Sequence, residues 1–114
     1  MSEAILNIVK AIREILPNAF IIVLSIPPKG RINNNYREKV YAINERVEKL
    51  MMSEANSSPL NIYLDCNKFH DFVNKVDGTI SKLDMYDYLH FTDQGYDKFC
   101  QPIINEIKRV LSIG

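Results

Sequence analysis

Two residues able to move a proton stand three apart near the end of the sequence, Asp87 and His90, in the stretch DMYDYLHFTDQGY at 84–96. A histidine near neutrality can take a proton and give it back, provided one ring nitrogen is held while the other faces a substrate. A nearby carboxylate does the holding; in a hydrolytic triad it fixes the imidazole tautomer and stabilises the imidazolium. Thr92 follows directly and suits a helix start, because its hydroxyl can accept one of the unpaired N–H groups of a first turn.

The spacing alone leaves other readings open. Seven aspartates among 114 residues make an acid three before a histidine a weak signal by itself. His90 could instead bond backbone at a helix entry, with Asp87 a solvated loop charge. Asp84 and Asp93 compete with Asp87 as the orienting acid. Metal ligation is a weaker alternative, because the other histidine, His70, stands in a polar loop without a zinc-type spacing.

The elements that must position the pair follow from periodicity. Over residues 2–16 the apolar side chains Ile5, Ile8, Val9, Ile12, Ile15 and Leu16 repeat at steps of three and four, predicting a helix with one apolar stripe. Pro17-Asn18 stops it. The stretch AFIIVLSI at 19–26 is nearly all apolar and rich in β-branched residues, the pattern of a strand covered on both faces, and Pro27-Pro28 ends it. After a polar loop, KGRINNN, a second helix is expected over 36–52 with Val40, Ile43, Val47, Leu50 and Met51 inward, capped by Asn35 with Glu38 completing a capping box.

NIYLDC at 61–66 reads as a second strand, giving a right-handed βαβ unit. Residues 67–90 show no sustained period and are expected to be a long irregular connection containing the Asp77-Gly78 turn. A last helix is expected behind Thr92, with Tyr96, Phe99, Ile103, Ile107 and Val110 on one face, kinked or split by Pro102. The class is α/β with an unusually small sheet.

Bulk properties set limits on partners. A chain of 114 residues fits one domain. Fourteen basic residues balance fourteen acidic ones at a pI near 6.7, so no positive field gathers nucleic acid. The start lacks the pattern of a signal peptide, and the longest apolar run, 19–24, is too short for a bilayer. A soluble cytoplasmic protein is expected, with Cys66 and Cys100 reduced.

The block DYLHFTDQGY, followed by KFCQPI, resembles the last block of the SGNH (GDSL-type) hydrolases, in which an Asp-x-x-His pair precedes the C-terminal helix. It is similar in particular to the catalytic subunits of intracellular platelet-activating factor acetylhydrolase. The likeness continues through IIVLSIPPKG, YREKVYAINERV, IYLDC and DGTISKLDMYDYLH, and so spans nearly the whole chain, with extra residues around 67–74.

The resemblance implies a partial flavodoxin-like (SGNH) doubly wound sheet, residues 1–114 being the C-terminal half of one such domain. It implies that Asp87 and His90 are the acid and base of a Ser-Asp-His triad, in a serine esterase that needs no cofactor. The implied substrate is a short-chain ester, by resemblance the acetyl group of a platelet-activating-factor-like phospholipid. Implied partners are a second catalytic subunit, as homo- or heterodimer, and a WD-repeat regulatory protein.

The family's nucleophile motif, Gly-Asp-Ser, does not occur in this sequence, nor does its Gly-x-Asn block. GRINNN misses the second spacing by one residue. Ser25 lies at the C-terminal end of the first strand, where doubly wound sheets place their sites, but it runs into Ile26-Pro27-Pro28 where a nucleophile elbow needs a tight turn with small neighbours. Ser57, Ser58 and Ser81 read as turn residues. The expectation is therefore a chain that supplies the acid and base, lacks the attacking oxygen, is inactive alone, and leaves an apolar edge uncovered. The alternative is a non-catalytic remnant that serves as an interaction module for the family's partners.

Overall fold

The computed structural model describes residues 1–53, 56–69 and 72–112. Helix α1 spans Ser2–Ile15, and the carbonyls of the segment just past its end are collected by one side chain. Arg13 donates to the carbonyl oxygens of Leu16, Pro17 and Ala19 and reaches Oδ1 of Asn61 at 2.5 Å, tying the helix exit to the second strand. Strand β1, Ile21–Leu24, pairs in parallel with β2, Asn61–Leu64, in the register Ile21 to Asn61 and Leu24 to Leu64. The crossover between them is helix α2, Asn35–Met52. A short helix α3, Cys66–Phe69, follows β2, and helix α4, Asp93–Leu111, closes the order. This is the partial α/β arrangement read from the sequence.

The core lies where α1 and α2 meet one face of the sheet. Leu6, Val47 and Met51 are buried together, with Ile5, Val23, Ile43, Leu50 and Tyr63 packed around them. Inward positions of α2 at 37, 40, 44, 47 and 51 follow a helical stripe, but two carry polar side chains. Asn44 bonds both backbone groups of Ile26, through Oδ1 at 2.8 Å and Nδ2 at 2.9 Å, and so fixes the exit of β1 just before Pro27.

Several expectations need correction. β1 is four residues long rather than eight, and it is not covered on both faces: side chains alternate along a strand, and Leu24, opposite the face that carries Val23, is 36% exposed. Helix α1 buries Ser2, Leu6 and Val9, whereas Ile8, Ile12 and Ile15, and Leu16 just past its end, are exposed. The apolar surface of α1 is wider than the strip that α2 covers. Asn34, not Asn35, caps α2: its Oδ1 accepts the N–H of Arg37 at 3.0 Å, which places Arg37 where the capping box would put Glu38. β2 ends at Leu64, and Cys66 opens α3 instead of closing the strand. Helix α4 runs unbroken through Pro102, so the proline does not split it. With a Cα radius of gyration of 15.4 Å, the chain is more extended than the roughly 13 Å of a closed hundred-residue domain.

Candidate active site

The connection between α3 and α4 is irregular in period but tightly bonded. Val73 and Ile80 form an antiparallel bridge around the Asp77-Gly78 turn, where Gly78 has φ +72°. Ser81 then starts a turn, its hydroxyl accepting the N–H of Leu83 at 3.1 Å and its carbonyl the N–H of Met85 at 3.0 Å. Met85 and Phe91 form a second antiparallel bridge, so the five residues 86–90 leave and return at one point. Met85 is fully buried, and Phe91 stacks among Phe72, Tyr96 and Phe99 at centroid distances of 5.1 to 5.3 Å. The loop thus stands on an aromatic floor.

Helix α4 is docked beneath it by its first turn. Thr92 accepts the N–H of Gly95 at 3.1 Å, its own N–H donates to the carbonyl of Asp84 at 2.8 Å, and its hydroxyl bonds the carbonyl of Leu83. Gly95 is required by closeness: a Cβ there would collide with the Asp84 carbonyl and lie 2.8 Å from the Phe91 ring.

Within 86–90 the chain turns over the Asp87 carboxylate. Oδ1 accepts the backbone N–H of Leu89 at 3.0 Å and of His90 at 2.7 Å, and Tyr88, between Asp87 and Leu89, adopts the left-handed region at φ 62°. That turn brings the imidazole back, with Nδ1 of His90 2.6 Å from Oδ2 of Asp87. The Tyr86 ring lies nearly parallel to the imidazole, 6.0 Å between centroids. The backbone N–H of His90, then its ring, hold the Asp87 carboxyl down at about 2. An ionised carboxylate only accepts, so Nδ1 carries the hydrogen of this contact, and in the tautomer so selected Nε2 is the nitrogen left with a free lone pair. The His90 side chain is 61% exposed, and no described residue hydrogen-bonds Nε2.

The competing acids are accounted for. Asp84 is buried and engaged elsewhere, with Lys98 Nζ at 2.9 Å and Gln94 Nε2 at 2.9 Å, while Asp93 is exposed in the first turn of α4. The carboxylate that bonds the imidazole is that of Asp87. His70 lies outside the described residues. Among the described residues, no group of three or more metal-ligating side chains comes together.

No family model matches the chain. It is 37% identical over 105 residues to platelet-activating factor acetylhydrolase IB subunit alpha1 of Pongo abelii and 36% to that of Homo sapiens, each match covering 92% of this chain. Against the IB subunit beta homolog of Drosophila melanogaster it is 32% identical over 112 residues, 98% of this chain. The chain is a homologue of the platelet-activating factor acetylhydrolase IB subunits. It spans 42% of the alpha1 subunits and 47% of the fly protein, so it corresponds to part of these larger subunits.

The serines set aside from the sequence take the following places. Ser25 is 2% exposed, and its Oγ accepts the backbone N–H of Cys66 at 3.0 Å. Ser58 accepts the N–H of Leu60, as Ser81 does that of Leu83, which is turn chemistry in both. Cys66 is buried and free, its thiol pushed up to about 11 by burial and then by the charge of Asp65; Cys100 is free as well. Among the described residues, no helix is long and apolar enough to cross a membrane.

Sequence reasoning missed Tyr88 and Arg37. A left-handed tyrosine leaves no compositional mark, since glycine or asparagine is the usual signal. Arg37 did leave one: it is a charge on the inward stripe of α2 at the spacing of Val40, Asn44 and Val47.

Proposed function

We propose that this chain carries the acid–base part of a serine esterase site, with Asp87 orienting His90 and the attacking serine lying in sequence outside these 114 residues. One observation carries the reading: the 2.6 Å contact between Asp87 Oδ2 and His90 Nδ1, on a loop that leaves Nε2 facing solvent. Relationship to the acetylhydrolase subunits supports acyl transfer as the reaction and a platelet-activating-factor-like phospholipid as the substrate. Nε2 of His90 takes the serine proton as its oxygen attacks the ester carbonyl, then returns it to the departing alcohol, leaving an acyl-serine. A water, deprotonated by the same nitrogen, releases the acid. The reaction uses no cofactor.

On this reading the isolated chain turns over no ester. In subtilisin, loss of the nucleophile alone lowers turnover by about 10⁶. The test is complementation: the 114-residue chain is assayed on a small activated acetyl ester alone, then with the preceding part of a homologous subunit supplied. Turnover that arises on complementation and falls by orders of magnitude in His90→Ala supports the reading. Turnover indifferent to His90 would remove it.

A second reading, an interaction module without catalysis, is favoured by the exposed apolar side chains of Ile8, Ile15, Phe20 and Leu24. Its partners would be a catalytic subunit of the same family or a WD-repeat regulatory protein. Binding to a family subunit that survives loss of both Asp87 and His90, with no turnover on complementation, would favour it.

A further inference from the structure

Arg37 sits in the first turn of α2, 2% exposed, and the four oxygens to which its guanidinium donates are all neutral. Nε donates to the Lys29 carbonyl at 3.2 Å, one terminal nitrogen to Asn33 Oδ1 at 2.8 Å and the Gly78 carbonyl at 2.5 Å, the other to the Gly30 carbonyl at 2.7 Å. Burying a cation against neutral oxygens is unfavourable unless its donors are all used, and a planar fork with five N–H groups can use them where lysine cannot. These bonds join three separate segments: the loop after β1, the first turn of α2 and the Asp77-Gly78 turn.

The loop so fixed touches the candidate site. Gly30, at φ +93°, donates its N–H to the carbonyl of Tyr88 at 2.8 Å, and Tyr88 is the left-handed residue between Asp87 and His90. From the other side, Ile80 donates to the Arg31 carbonyl at 3.3 Å, so the loop also grips the bridge residue that leads into the Ser81 turn. Only one peptide thus lies between the guanidinium and the Tyr88 carbonyl.

We propose that Arg37 is a positioning residue for the Asp87–His90 pair, acting through Gly30 to hold the Tyr88 turn in the conformation that lets the carboxylate meet Nδ1. Its functional consequence rests on the acid–base reading above; the geometric claim does not.

The test uses the whole chain and nuclear magnetic resonance. In the wild type a downfield His90 Nδ1 proton is expected, together with an Asp87 carboxyl that titrates near 2. In Arg37→Met the Nδ1 signal should disappear, the Asp87 titration should move up toward 3.8, and the Leu89 and His90 amides should exchange on the order of tenfold faster. Amides of α2 around Val47 should stay protected, which a general loss of structure would not allow. A variant that keeps the Nδ1 signal and the low Asp87 titration would overturn the proposal.

If Arg37→Met does not fold, hydrogen exchange in the wild type decides: Gly30, Leu89 and His90 amides should open together. Leu89 and His90 exchanging freely while Gly30 stays protected would overturn it. These signals need no turnover. A failed clamp shows in the resonances, and a failed esterase reading shows in the complementation assay.

Discussion

Asp87 accepts His90 twice, the backbone N–H at Oδ1 from 2.7 Å and the ring Nδ1 at Oδ2 from 2.6 Å. The two bonds do different jobs. The backbone bond would form with any residue but proline at 90, and it turns the loop; the ring bond needs histidine, and it sets the tautomer. Because both bonds end on one carboxylate, the turn that places the imidazole also aims the oxygen that receives it, which makes the pair a preorganised unit.

The first prediction concerns pH. The Asp87 carboxyl is depressed from 3.8 to about 2, so its ionised form stabilises the folded chain above pH 4. That contribution is lost as pH falls through the window from about 4 to about 2. Thermal melts of the wild type and Asp87→Asn should differ most near neutrality and converge toward pH 2. A constant difference across that window would mean the carboxylate is not held as described.

A second prediction separates the roles of the same residue in catalysis. Asp87→Asn retains an oxygen able to accept the Leu89 and His90 N–H groups but loses the charge that selects the Nδ1–H tautomer. In the complemented enzyme its turnover should fall by up to about 10⁴, the loss seen when the corresponding carboxylate of a serine protease is amidated. The substrate concentration for half-saturation should change little, because the carboxylate acts on the imidazole. Steady-state kinetics on an acetyl ester checks this, and equal turnover in both proteins would exclude Asp87 as the orienting acid.

Gly95 offers a stability test of how the loop is docked. A methyl group there meets the Asp84 carbonyl and carbon, which are backbone and cannot swing aside, as well as the Phe91 ring. The helical preference of alanine over glycine contributes about 1 kcal/mol in favour. Overpacking against fixed backbone costs about 1–3 kcal/mol. The same carbonyl accepts the Thr92 N–H, so relieving the clash pulls on the helix cap. Gly95→Ala is therefore expected to lower the urea midpoint, and an equal or higher midpoint would show that α4 is not pressed against Asp84.

What the sequence made legible follows from how local each signal is. The helix behind Thr92, the βαβ order and the Asp87–His90 pair depend on caps, periods and a three-residue spacing, all contained in short windows. Strand length was overestimated because an apolar run of eight looks the same whether or not its neighbours exist to cover it; here only four residues find a partner. The outward turn of Ile8 and Ile15 has the same origin, since a wide apolar face predicts burial but not against what. Arg37 and Gly30 were not legible as site supports, because their role depends on contacts between residues far apart in sequence, Arg37 with Gly78 and Gly30 with Tyr88.

Ser25 supplies the last prediction, which decides between a scaffold serine and a nucleophile. Its Oγ accepts the Cys66 N–H at the start of α3, and the Ser25 N–H donates to the Leu64 carbonyl at 3.0 Å, so the residue stitches the exits of β1 and β2 together. Ser25→Ala removes the acceptor and leaves a buried N–H unpaired, a loss of about 1–3 kcal/mol in stability, measurable by urea denaturation. A nucleophile would behave differently: its hydroxyl must be reachable, whereas Ser25 is 2% exposed. A fluorophosphonate should accordingly leave the wild-type chain unlabelled. Label mapping to Ser25, with no stability loss in Ser25→Ala, would reverse the assignment and place an attacking oxygen inside these 114 residues.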